Sequence, residues 1–203
     1  MMAVFPEGAD DAVKAGIAKQ KRVQEYNAER QTRGNLPLQV GIGIHVGHMM
    51  LGMVGEDNRI QGDAYSDNVN LTARLEGLTK FYGVSMLISG QTLEHLSNPA
   101  QYQIRFLDRA IVKGRNEVIA VYEVLDAESE EVCQLKQQTQ VNFEQGISYY
   151  RARALRDAKA CFEQVLTVNS LDKTAKLYLE RVERLLEHGV PENWNEAWTF
   201  SEK

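Results

Sequence analysis

The stretch QGDAYSDNVNLTARLEGLTKFYG, residues 61–83, carries an amide and a guanidinium, Asn70 and Arg74, four residues apart and close behind two carboxylates, Asp63 and Asp67. Positions i and i+4 share one face of a helix, so this pair can address a single ligand. Leu71, Leu75, Leu78 and Tyr82 supply the apolar stripe that such a helix buries, and Ser66 or Asp67 is placed to cap its first turn. Other chemistry-bearing residues offer less. His45 and His48, three apart on an extended segment, point to opposite faces, with no acidic or cysteine ligand set to complete a metal site. Met49, Met50 and Met53 read as core filler.

The elements that must position the pair can be read around it. MMAVFPEG is an apolar run stopped by Pro6 and Gly8, a short strand with no lead-in, as if the chain began in mid-fold. Asp10 and Asp11 open a helix to about Arg33, with Val13, Ile17 and Val23 facing a core. LPLQVGIGIHVG (36–47) and the following HMMLGMVG read as two strands of a hairpin, and 56–66 as a polar turn. A strand (84–89), a short helix (90–97) and two further strands joined by KGRNE complete an interleaved pattern, which implies an α+β or α/β sheet domain ending near Asp126.

Beyond the acidic DAESEE the texture is helical. Gly146, Tyr149, Ala158 and Phe162 fall at the offsets of one tetratricopeptide-like repeat, with the aromatics expected in the seam, and DKTAKLYLERVERLLEHG supplies a third helix. A tail with Trp194 and Trp198 follows.

Composition excludes several classes. The chain has 203 residues, 43% of them hydrophobic and 25% charged, enough apolar material for a core. A net charge of -5 with mixed signs gives no basic footprint for nucleic acid. Cys133 and Cys161 lie far apart without CxxC spacing, and no signal peptide or long apolar run is present, which fits a reducing cytoplasm; a longer native protein would still allow membrane association through upstream segments.

The segments VGIGIHVG, GMVGEDNRIQGDAYSDNVNLTARLEGLTKFYG, LIS and FLDRAIVKGRNEVIAVYEV, in that order, resemble the class III adenylate/guanylate cyclase catalytic domain over about residues 1 to 125. VNLTAR and VKG are the elements most specific to that family. The resemblance implies a ferredoxin-like α+β cyclase sheet domain, truncated at its N-terminus, over 1–126; the residues beyond it read as an acidic linker (127–138), a tetratricopeptide-like all-α helical module (139–188) and a tail (189–203).

Roles follow position by position from that resemblance. Asn70 matches the asparagine that orients the nucleotide ribose, Arg74 the arginine that stabilises charge on the α-phosphate during cyclisation, and Lys113 the lysine that holds the terminal phosphates. Asp63 matches the position that accepts from the adenine amino group, which favours ATP over GTP because an ionised carboxylate only accepts. Mg²⁺ or Mn²⁺ is expected for the family, but its two metal-binding aspartates belong upstream of the segment matching MAVFP, and neither is found here. Family active sites form between subunits, so a homodimer of this chain is expected to be inactive, and a heterodimer with an intact cyclase subunit would rebuild one site. The alternative is a non-catalytic regulatory or scaffold protein that binds a cyclase or another partner, with the helical module as its protein-binding part.

Overall fold

The computed structural model describes residues 1–56, 59–112, 118–192, 194, 196 and 198–200, with the backbone alone for 51, 53–56, 59–65, 112 and 198–200. In chain order the strands are β1 (Ile42–Ile44), β2 (Met50–Glu56), β3 (Arg59–Tyr65), β4 (Met86–Ser89), β5 (Ile104–Val112), β6 (Val118–Val124) and β7 (Trp198–Phe200). The helices are α1 (Ala9–Thr32), α2 (Asp67–Tyr82), α3 (Gly90–Glu94), α4 (Glu130–Arg151), α5 (Leu155–Val168) and α6 (Lys173–His188). Five strands form one mixed sheet in the order β1-β4-β6-β5-β7, and β2 with β3 makes a separate hairpin.

Side chains alternate across the central strands and so divide the core between two faces. Met86, Ile88 and Val124 join Ala9 and Val13 of α1 on one side. Leu87 and Val121 lie on the other with Leu75, Leu78 and Tyr82 of α2, and with Phe143, Ile147, Phe162, Tyr178 and Val182 of α4–α6. The expected apolar stripe of α2 is therefore its buried face, and all four of its residues are in the core. Among the described residues no helix is long and apolar enough to cross a membrane.

Several local expectations change. The stretch 36–47 does not pair with its neighbour: it yields only β1, which pairs in parallel with β4, Ile42 opposite Met86 and Ile44 opposite Ile88. The hairpin forms one segment later, Met50 opposite Tyr65 through Glu56 opposite Arg59, so most of the expected polar turn at 56–66 is strand. Alternation identifies a strand but not its partner, and here the crossover through α2 brings β4 beside β1. Residues 1–5 form no strand and are exposed, cut short by the turn at Pro6 and Glu7. Met49 and Met50 are 36% and 74% exposed, so they do not fill the core.

In the C-terminal part, α4 starts at Glu130, inside the stretch expected as linker, because Ser129 caps it by accepting from the Val132 amide. Tyr149 is exposed, whereas Tyr150 is buried and meets Tyr178 edge-on, 5.3 Å between ring centroids. A helix advances 100° per residue, so one position separates seam from solvent.

The contact between sheet and C-terminal helices is strongly polar at its centre. Arg105 of β5, Glu123 of β6, Lys136 of α4 and Asp172, the N-cap of α6, are all buried. Arg105 Nη2 donates to Asp172 Oδ2 at 2.8 Å, Lys136 Nζ donates to Glu123 Oε1, and the Arg105 guanidinium lies 3.5 Å from the Phe143 ring centroid. Two cations and two anions cancel, which is what lets the cluster sit away from water.

Removing one partner tests that cancellation. Lys136→Met should cost about 3–5 kcal/mol in urea unfolding at neutral pH, the usual penalty for stranding a buried charge. Burial pushes the Glu123 carboxyl up, against the pull of Lys136 and Arg105. The folded state then holds the Glu123 proton more tightly than the unfolded state, so stability falls as pH rises from the ordinary glutamate range through the raised value. The Lys136→Met penalty should accordingly shrink in acid; a pH-independent penalty would contradict the assignment.

Candidate functional site

The first turn of α2 is fixed by hydrogen bonds from three segments. Ser66 Oγ accepts from the Asn68 amide at 3.0 Å and donates to the His48 carbonyl at 2.8 Å, and Asn68 Nδ2 donates to the same carbonyl at 2.8 Å. Because the Asn68 amide nitrogen is used there, its Oδ1 accepts from His45 Nε2, 3.3 Å away. The other ring nitrogen, Nδ1, lies 2.9 Å from Ser89 Oγ at the end of β4. Ser89 Oγ in turn caps α3 by accepting from the Thr92 amide, and Thr92 Oγ1 donates to the Ile44 carbonyl at 3.1 Å. His45 therefore ties the ends of β1 and β4 to the start of α2.

At Gly43 the backbone of α2 rests directly on β1. A Cβ at Gly43 would fall on the Glu76 amide nitrogen and within 2.8 Å of the Thr72 carbonyl oxygen, and one at Gly41 would collide with the Thr79 hydroxyl. Residues i and i+2 of a strand share a face, so the two glycines together form a flat seat for the helix. The leucine stripe then turns inward, and Asn70 and Arg74 turn away from it, Asn70 exposed and Arg74 half-buried. Among the described residues neither side chain makes a hydrogen bond or ion pair.

The structure thus brings Asn70 and Arg74 together on one helix. Asp63 lies in β3 opposite Gly52, three residues before the Ser66 cap, so the hairpin that carries it feeds directly into α2. Lys113 lies outside the described residues. His45, Asn68, Ser89 and Thr92 join the site although the sequence marks none of them for it; the available signal was the polar His45 at the end of an apolar, glycine-rich strand segment.

Among the described residues no group of three His, Cys, Asp or Glu side chains is disposed to hold a metal ion. The described donor set does not fit the metal centre on which cyclases of class III generally depend.

Residues 7–125 match the adenylate and guanylate cyclase catalytic domain, and the chain belongs to that family. It is 42% identical over 130 residues to an adenylate cyclase of Anabaena cylindrica, covering 61% of this chain and 26% of that protein. It is 31% identical over 187 residues to the terminal-differentiation specific adenylate cyclase of Dictyostelium discoideum, covering 89% of this chain and 9% of that protein. Among solved structures it is similar to the adenylyl cyclase CyaB from P. aeruginosa, with a TM-score of 0.50 and 28% identity over 57% of this chain and 58% of that one. The chain spans about a quarter of the first relative's length and less than a tenth of the second's.

The glycine seat yields a paired test on stability. Gly43→Ala should destabilise the chain by about 1–3 kcal/mol through overpacking, since backbone atoms of α2 cannot swing aside. Gly77→Ala, also on α2 but with nothing within 4 Å of its added Cβ, should stabilise it by about 0.5–1 kcal/mol through helix propensity. Equal effects in thermal unfolding would mean that the close approach of β1 and α2 is not a constraint.

Proposed function

We propose that this chain carries the ribose- and phosphate-binding half of an adenylate cyclase site, which acts on ATP when a second subunit supplies the metal-binding half. The ribose 3′-hydroxyl gives up its proton to solvent as its oxygen attacks the α-phosphate, the bond from that phosphorus to the bridging oxygen breaks, and pyrophosphate leaves with 3′,5′-cyclic AMP as the other product. In this reading Arg74 stabilises the charge that develops on the α-phosphate, Asn70 orients the ribose, Lys113 holds the terminal phosphates and Asp63 accepts from the adenine amino group. A cytoplasmic setting, where ATP is available, goes with it.

The observation that carries the reading is the Asn70/Arg74 pair itself. An amide and a guanidinium project from a helix whose seat is rigid, and among the described residues neither is spent on an internal bond. Preorganised donors of this kind are the main contribution a protein makes to phosphoryl chemistry, since little covalent work is required of it. The family membership and the adenylate cyclases among its relatives support the choice of reaction.

The test is complementation. The purified chain should form no cyclic AMP from MgATP or MnATP, but it should restore activity to an intact cyclase subunit altered only at its own equivalents of Asn70 and Arg74. Co-purification establishes the mixed dimer. Arg74→Ala should lower the restored rate by about 10²–10³, the usual cost of one preorganised donor to developing charge. Robust turnover by the pure chain, or undiminished rescue by Arg74→Ala in a proven mixed dimer, would overturn the reading.

A further inference from the structure

A β-bulge interrupts the pairing of β5 with β6: Phe106 is opposite Tyr122, yet Asp108, not Leu107, is opposite Val121. The extra residue turns Asp108 onto the face of the sheet that α2 and α6 cover, where its side chain is buried. There Asp108 Oδ2 accepts from Arg181 Nη1 of α6 at 2.6 Å and from the Tyr82 hydroxyl of α2 at 2.9 Å. The Tyr178 hydroxyl of α6 lies 3.1 Å from Asp108 Oδ1 and 2.8 Å from the Leu107 carbonyl oxygen. One carboxylate from the sheet thus joins the last residue of α2 to α6.

The backbone at the end of α2 is held by the same helix. Thr174 Oγ1 donates to the Tyr82 carbonyl at 3.2 Å, and Lys173 Nζ donates to the Lys80 carbonyl at 2.8 Å. These are the terminal carbonyls that a helix leaves without internal partners. The first turn of α6 therefore caps the last turn of α2, and Asp172, which caps α6, is itself held by Arg105 of the sheet.

We infer that α6 belongs to the machinery that aims the nucleotide site: Asp108 and Arg181 are positioning residues that, through Tyr82, set the direction of α2 and hence of Asn70 and Arg74. The inference rests on the reading of that pair as nucleotide-binding. It assigns the C-terminal helices a role in the site's geometry beyond the protein binding expected of a separate module. The match to the Dictyostelium protein covers 89% of this chain, so it extends well into these helices. Tyr82 is eight residues from Arg74, about 12 Å along the helix, and a helix is stiff over that length. Burial, reinforced by the charge of Asp108, pushes the Tyr82 hydroxyl well up, which keeps it a neutral donor to the carboxylate.

The experiment follows the Arg74 Nε–Hε resonance in the full chain labelled with ¹⁵N-arginine, assigned with Arg74→Lys, alongside amide hydrogen exchange. Tyr82→Phe removes one hydroxyl and should leave the fold intact, as judged by circular dichroism. It should move or broaden the Arg74 resonance and speed exchange in the last two turns of α2 about tenfold, with the amides of β5 and β6 within twofold of the parent. Arg181→Met should do the same more strongly, and Arg181→Lys should return the resonance toward the parent position. If Arg181→Met does not fold, Tyr82→Phe decides. An unmoved Arg74 resonance in a folded Tyr82→Phe chain, or exchange that rises equally across sheet and helices, would overturn the inference by showing that α6 only adds stability. No nucleotide enters this measurement, so its failure is distinct from failure of the cyclase reading, which the Arg74→Ala rescue decides.

Discussion

The direct approach of β1 to α2 is the contact on which the rest of the structure depends. Two glycines two residues apart remove the Cβ layer from one face of the β1 segment, and the α2 backbone at Gly43 and the Thr79 side chain at Gly41 occupy the space. Once the helix lies that close, its rotation is fixed: the leucines must enter the core, and the polar face must turn out. The pairing of β1 with β4 follows, because the chain that leaves α2 returns to the sheet beside the strand on which the helix rests. Asn70 and Arg74 owe their direction to this packing more than to any bond of their own.

A helix seated on its middle still needs its ends held. At the first turn, His45, Ser66 and Asn68 join it to the ends of β1 and β4 through side-chain hydrogen bonds. At the last turn, buried charge does the work, with Asp108 between Tyr82 and Arg181. The neighbouring Arg105, Glu123, Lys136 and Asp172 cluster fastens the same helical layer to the sheet. Buried ion pairs add little net stability compared with apolar packing, but they tolerate few alternative geometries, which suits a joint that must hold one orientation.

Much of α2 was legible in the sequence. The stripe Leu71, Leu75, Leu78 and Tyr82, a cap at Ser66 or Asp67 and the one-turn spacing of Asn70 and Arg74 are local signals, and the structure has the stripe and the spacing in place and resolves the cap to Ser66. What was not legible depended on partners distant in sequence. Alternation in residues 36–47 marked a strand but not its pairing with β4, and the bulge beside Leu107 leaves no periodic trace. Arg105, Glu123, Lys136 and Arg181 read as ordinary charges in their own segments; only the packed layers bury them together. The exposure of Tyr149 in place of Tyr150 is an error of one helical step, within the reach of any periodicity argument.

Whether the glycine seat of α2 sets the geometry of the proposed nucleotide-binding half-site is decided by the rate of cyclic AMP formation in the mixed dimer when Gly43 is replaced by alanine. A shift of α2 by about 1 Å costs on the order of 10²-fold in rate even though no reacting group is altered. The account predicts that loss for Gly43→Ala in a dimer that still assembles, with Gly77→Ala within about twofold of the parent, since nothing lies within 4 Å of its added Cβ. A Gly43→Ala chain that assembles and supports the full parental rate would contradict it.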